Sequence, residues 1–186
     1  MRIIAVRHGE VPSNVVGRVN GWFDEDLTPE GRAQAAEVAE QLDGSFAKII
    51  SSTLQRAVET AEIIARRHPR PILLDPNLRE RNFGSLHGKT WAEIEAETGH
   101  DMRHLDIDLM QYDYRSWGGE CVAEVIARVR AFVRSVEHES EDVLAVTHGG
   151  VIKTLYTLLD SDPRHPITNC SVHIFYPQGR VQTQQV

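Results

Sequence analysis

The sequence predicts an α/β protein, a three-layer α/β/α sandwich around a mainly parallel sheet. Short β-branched runs alternate with longer amphipathic stretches over most of the chain. Two of those runs, Ile3-Ile4-Ala5-Val6 and Val143-Leu144-Ala145-Val146, are apolar throughout, the pattern of strands buried on both faces. Each is followed, one residue on, by His-Gly, which sets a histidine at the strand end where open α/β sheets meet their ligands.

Taken in order, the first strand delivers Arg7-His8-Gly9-Glu10. Turn-formers Pro12, Gly17, Asn20 and Gly21 then predict an extended loop as far as Leu27, crossing the same sheet end as His8. Thr28 and Pro29 form a helix start, with Ala35, Val38, Ala39 and Leu42 on one face and Gly44 as the stop. A second strand, Ala47-Lys48-Ile49-Ile50, leads into Ser51-Ser52-Thr53, which is expected to cap the next helix. That helix packs through Leu54, Ala57, Val58, Ala61 and Ala65 and ends near Pro69. Arg56 falls in its first turn, where the helix dipole disfavours a cation, so an anion shared with the helix N-terminus is expected there.

Pro71-Ile72-Leu73-Leu74 predicts a third strand, leading to the segment Leu78 to Gly84 in which Glu80 stands between Arg79 and Arg81. From about 89 to 117 the pattern is poor. A short helix from Trp91 to Glu97 is expected within it, and the stretch is interpreted as a lid-like insertion over the active end of the sheet. After Gly118-Gly119-Glu120, the stripe Val122, Val125, Ile126, Val129, Phe132, Val133 and Val136 predicts a long helix. The Val143–Val146 strand and Thr147-His148-Gly149-Gly150 follow, then a helix through Val151, Ile152, Leu155, Leu158 and Leu159. Val172 to Tyr176 and the run after Gly179 predict a terminal pair of strands.

Composition narrows the function. The 186 residues suit a single domain spanning 1–186, and 41% hydrophobic with 25% charged residues is ordinary for a globular protein. A net charge of −7 argues against a nucleic-acid partner. No run approaches a membrane span, and Arg7-His8 interrupts the first apolar stretch too early for a signal peptide, so a cytoplasmic protein without a membrane partner is expected. The 2 cysteines, Cys121 and Cys170, are too far apart to suggest a disulfide framework or a zinc site. The sequence leaves the oligomeric state open, a homodimer included.

Gathered at one sheet end, His8, His148, Arg7, Arg56, Asn14 and Glu80 suit phosphoryl transfer. Charge on a transferring phosphoryl group spreads over its oxygens, and arginines meet those oxygens in bidentate fashion. A neutral imidazole can attack phosphorus, and a carboxylic acid can protonate the leaving alkoxide.

The motifs in order are Arg7-His8-Gly9-Glu10 with Asn14, Gly21-Trp22 with Asp24, Leu27-Thr28, Gly31 and Gln34-Ala35. They continue through Ser51-Ser52, Arg56-Ala57, Thr60-Ala61, Leu78, Glu80, Gly84, Gly88, Gly118-Gly119-Glu120 and Thr147-His148-Gly149-Gly150. Across nearly the full length the chain resembles the histidine phosphatase superfamily, the branch containing cofactor-dependent phosphoglycerate mutases and their phosphatase relatives. The resemblance implies a phosphoglycerate mutase-like fold and a small phosphorylated substrate. It makes His8 the phosphorylated nucleophile, Glu80 the proton donor and acceptor, and Arg7, Arg56, His148 and Asn14 the phosphate pocket. Asn20 and Gly21 match the place where mutases contact the substrate carboxylate. Neither a metal nor another cofactor is implied.

The superfamily offers two outcomes, hydrolysis or mutase chemistry. Asn20-Gly21-Trp22 and Glu80 to Gly84 resemble mutase segments. Against a mutase, Phe83 replaces a tyrosine, Trp91 replaces a lysine, and Arg103 and Arg115 stand singly where mutases carry an adjacent pair. The chain also ends soon after its last strand, without the long C-terminal segment of mutases. A phosphomonoester hydrolase is therefore expected. The alternatives are a mutase, a non-catalytic phosphate-binding or scaffolding domain, and a metallophosphoesterase. Cys121, at a position usually serine, is expected near the pocket.

Overall fold

A computed structural model describes residues 1–102, 105, 111–159 and 166–177. Five strands, β1 (Ile3–Arg7), β2 (Phe46–Ser51), β3 (Ile72–Leu74), β4 (Asp142–Thr147) and β5 (Val172–Phe175), form one sheet in the order β3-β2-β4-β1-β5. All neighbouring pairs are parallel except β1 with β5. The helices are α1 (Pro12–Val15), α2 (Pro29–Gln41), α3 (Gln55–Arg67), α4 (Trp91–Thr98), α5 (Val122–Val136) and α6 (Gly149–Leu158).

The pleat of β1 and β4 sorts their side chains into two layers. Ile3, Ala5, Val143 and Ala145 pack with Val125, Val129, Phe132 and Val133 of α5 and Val151, Ile152 and Leu155 of α6. Ile4, Val6, Leu144 and Val146 face the other way, onto Val38 and Ala39 of α2 and Ala57, Ala61 and Ile64 of α3. This is the predicted α/β/α sandwich. Full burial of each of the larger aliphatic side chains contributes about 1.5–3 kcal/mol, so the central pair of strands is firmly fixed. A separate small core of Val19, Phe83, Leu86, Ile94, Met102 and Tyr114 packs the described parts of the 89–117 segment against the loops around Val19 and Phe83.

Some local expectations hold, among them the Thr28 cap and the helix from Trp91, and others change. The loop after His8 contains α1, a single turn with Pro12 at its first position. Thr28 caps α2, its hydroxyl accepting the Gly31 N–H at 2.9 Å. That helix ends at Gln41, and Gly44 serves the following turn with φ +70°. The N-cap of α3 is Leu54 rather than Thr53, and Ser52 Oγ accepts the Leu54 N–H at 3.3 Å. A reciprocal Thr90/Glu93 capping box starts α4, and left-handed Gly99 ends it. Of the terminal pair of strands, β5 is the first, and the run after Gly179 lies outside the described residues. Among the described residues no helix is long and apolar enough to cross a membrane.

Candidate active site

Register places the two histidines together. β1 and β4 pair from Ile3↔Val143 to Arg7↔Thr147, and His8 N–H donates to Thr147 O at 2.9 Å, so His8 and His148 leave adjacent parallel strands at the same level. Their ring centroids are 5.1 Å apart, close to the spacing of the strands themselves.

The turn after His8 is held by a close backbone approach. A Cβ on Gly9 would lie 2.4 Å from Gly31 O, and one on Gly31 only 2.1 Å from Glu10 O. Only paired glycines let the start of α2 press against the His8 loop. Thr60 Oγ1 accepts the Gly9 N–H at 3.1 Å, and Gln34 Oε1 accepts the Glu10 N–H at 3.0 Å.

Two contacts define the His8 imidazole. Nδ1 lies 2.7 Å from Gly9 O, which can only accept, so Nδ1 carries the proton. Nε2 lies 3.3 Å from Arg56 Nε, which can only donate, so Nε2 carries the lone pair. Burial, reinforced by the charges of Arg56 and Arg7, holds His8 well below the ordinary value of 6.5. At neutral pH the ring is uncharged, with its lone pair on Nε2.

Arg56 is wholly buried in the first turn of α3. Its Nη1 donates to Phe23 O at 2.9 Å and its Nη2 to Gly21 O at 2.7 Å, so loop carbonyls offset the unfavourable dipole that the sequence placed it against. Burial lowers its pKa to about 10, with Glu80, Asp24 and Glu25 opposing, and the group stays protonated at neutral pH. Gly21, with φ +49°, makes the turn that aims its carbonyl there. Arg7 Nη1 donates to Ile167 O at 2.7 Å, while its buried Nε has no protein partner. An orphaned guanidinium N–H beside His8 is what an anion site requires.

A cleft of about 390 Å³ opens onto this cluster, lined by Arg7, His8, Asn14, Arg56, Glu80 and Asn169 at its polar end. Gly17, Arg18, Val19, Asn20, Gly21, Phe83 and Trp91 line the remainder. Glu80 accepts Arg81 N–H at 2.8 Å and, from the start of α6, Gly150 N–H at 3.3 Å. Arg79 instead stacks on Trp22, and Arg81 on Tyr114, so Glu80 is not the surface ion pair its neighbours suggest.

His148 is placed differently from expectation. It is fully inaccessible and is not among the residues that line the cleft, with Nε2 2.8 Å from Ser52 Oγ and a buried, unpartnered Nδ1. Burial, then Arg56 and His8, keeps it well below 6.5 as well. Asn20 reaches the cleft, but its Nδ2 donates to Glu25 at 2.8 Å. Cys121 is away from the cleft, at the N-cap of α5, where its N–H donates to Glu124 at 2.8 Å. Both cysteines are free thiols, and burial pushes Cys170 up to about 12.

The residue that sequence reasoning missed is Asn169. Its Nδ2 donates to His8 O and to Asn14 Oδ1, each at 3.0 Å. Asn14 Oδ1 also accepts the Val11 N–H at 3.2 Å, so both lone-pair sides of that oxygen are taken and Nδ2 is the atom Asn14 has left for a ligand. Asn169 sits in an unpatterned turn before β5, and no local signal marks it.

A neutral histidine whose Nε2 lone pair faces Arg56, a second arginine, an amide donor and a carboxyl group gather around one cleft, a set of groups suited to phosphate esters. The sequence matches the histidine phosphatase superfamily (branch 1) over residues 3–185, and the chain belongs to that superfamily. It is 34% identical over 185 residues to phosphoglycerate mutase-like protein 4 of Arabidopsis thaliana, covering 93% of this chain and 78% of the relative. Identity to the metal-independent phosphoserine phosphatase of the same plant is 31%, covering 94% and 75%. Among solved structures, a mycobacterial glucosyl-3-phosphoglycerate phosphatase in complex with VO3 superposes with TM-score 0.81 at 32% identity, covering 93% of this chain and 91% of that one. Among the described residues no cluster of three or more His, Cys, Asp or Glu is arranged to hold a metal.

Proposed function

We propose that this protein is a phosphomonoester hydrolase that works through a phosphohistidine on a small phosphorylated metabolite. The observation that carries the proposal is the His8 ring, which lines the cleft, is protonated on Nδ1 by its contact with Gly9 O and keeps its lone pair on Nε2. His8 Nε2 attacks phosphorus, and the bond from phosphorus to the ester oxygen breaks. Glu80 gives its proton to the departing alkoxide. Glu80, now a carboxylate, takes a proton from water as the water oxygen attacks the phosphohistidine, releasing inorganic phosphate and restoring His8. Arg7, Arg56 and the Asn14 amide hold the phosphoryl oxygens, and donors fixed before the reaction need no reorganisation during it. His148 supports the site as a neutral buried ring beside His8.

Hydrolysis is favoured over mutase chemistry by the outer cleft. Trp91 and Phe83 line it. Arg18 is already committed to Gly88 O and Glu93, and Arg115 to Asp113 by two donors at 3.0 and 2.6 Å. A desolvated second phosphate needs cations that are not already paired. Arg103 lies outside the described residues.

The test is a panel of phosphorylated metabolites that includes 3-phosphoglycerate with and without 2,3-bisphosphoglycerate, assayed for free phosphate and for isomer exchange. Phosphate release should dominate and persist in excess chelator. Isomerisation exceeding hydrolysis would overturn the proposal.

A further inference from the structure

Glu120, in the Gly118-Gly119-Glu120 motif, takes no part in the chemistry above, yet it heads a buried network that ends on Glu80. Arg128 of α5 is mostly buried against it, with side-chain exposures of 13% and 14%. All of the Arg128 donors are used. Nε donates to Glu120 Oε1 at 2.8 Å, and Nη2 to Glu120 Oε2 and to Glu80 O, each at 3.1 Å. Nη1 donates to Asn77 O at 2.8 Å and to Arg79 O at 2.6 Å. Glu120 Oε2 also accepts the Asn82 N–H at 2.8 Å. One ion pair therefore grips four residues of the Asn77–Asn82 segment by their main chain. Trp22 Nε1 adds a donor to Glu80 O at 2.7 Å, and Thr147 Oγ1 donates to Leu78 O at 2.8 Å.

A buried ion pair gives little net stability over apolar residues of the same size, so stability alone does not account for one that spends its donors on a single turn. A general acid, by contrast, loses about 100-fold when misplaced by about 1 Å. We propose that Glu120 and Arg128 are positioning residues that fix the main chain of Glu80, so that its carboxyl meets the leaving oxygen. This rests on the reading of Glu80 as the proton donor.

The test compares a simple alkyl phosphate, whose leaving group needs protonation, with 4-nitrophenyl phosphate, whose leaving group needs little. The variants are isosteric Glu120→Gln and charge-conserving Arg128→Lys, so that failure of one to fold leaves the other to decide. Folding is checked by circular dichroism and calorimetry. Each folded variant should lose about tenfold or more in kcat on the alkyl ester beyond its loss on the nitrophenyl ester. Equal losses on both esters would make the pair merely structural and overturn the proposal. Glu80→Gln, measured alongside, separates the two readings. If it too slows both esters equally, the assignment of Glu80 as the acid fails. If it discriminates between them while Glu120→Gln and Arg128→Lys do not, only the positioning role fails.

Discussion

Arg56 Nε lies 3.3 Å from His8 Nε2, a fixed cation set against the lone pair of a neutral ring. The contact helps keep the proton off the nitrogen that would form the bond to phosphorus. It also puts the arginine where a phosphoryl oxygen would arrive. On the proposed mechanism, one side chain would both prepare the nucleophile and receive its substrate.

Replacing Arg56 with glutamine removes the second-largest cause, after burial, of the lowered His8 pKa. The acid limb of the pH profile of kcat/KM should then move to higher pH, and kcat/KM should fall by about 100-fold from the lost charge-assisted hydrogen bonds. An acid limb that stays in place would separate Arg56 from the protonation state of His8.

Stability should follow the same two rings. His8 and His148 are held below their ordinary value of 6.5, so the unfolded chain binds their protons more readily than the folded one. Their contribution is complete above the unfolded pKa and declines as pH falls from about 6.5 toward the folded values. The melting temperature should drop on going from about pH 7.5 to 5.5, and His148→Gln should flatten that drop. Calorimetric scans across the range decide it, and parallel curves for the two proteins would contradict it.

His8→Ala should abolish hydrolysis, by about four orders of magnitude or more, while the far-ultraviolet spectrum stays native. Rapid quenching of the unsubstituted protein during turnover should yield an acid-labile, base-stable phosphoprotein that the variant cannot form.

Asn169→Asp keeps the size of the side chain and turns its donor into an acceptor. Asn14 should then swing its amide nitrogen toward residue 169, presenting oxygen to the phosphate. Weaker inhibition by vanadate, by about tenfold, is the expected result. Unchanged inhibition would show that Asn14 is oriented by Val11 alone.

Gly31→Ala would set a methyl group 2.1 Å from Glu10 O, a backbone atom with little freedom to move. A loss of about 2–3 kcal/mol is expected from such overpacking, seen as a melting temperature lower by about 5–10 °C. A wild-type melting temperature would mean that the start of α2 can retreat from the His8 loop.

Much of this was legible from the chain. The all-apolar runs of β1 and β4 announced buried parallel strands, and the histidine after each gave the chemistry its place. Arg56 was conspicuous because a cation in a first turn needs a reason, and the reason proved to be the Gly21 and Phe23 carbonyls together with His8. What escaped depends on three-dimensional closure. A single turn such as α1 has too few residues to show a period. Asn169 acts through contacts with His8 and Asn14, residues remote in sequence that only β5 pairing brings near. The full burial of His148 follows from how the whole fold packs and leaves no local mark in the sequence. Cys121, placed by its neighbours near the pocket, turned out to be governed by the helix it begins.

The strand order β3-β2-β4-β1-β5 has a consequence for how the molecule is made. Among the described residues β1 pairs only with β4 and β5, the last two strands in the chain. A ribosome therefore releases the histidine strand long before either of its partners exists. Until then Ile3 to Val6 is an apolar, β-prone segment with two open edges, in need of cover by chaperones or by loose collapse. Activity should appear only with the final docking of β5, late in assembly and well after β2, β3 and the helices between them can have formed.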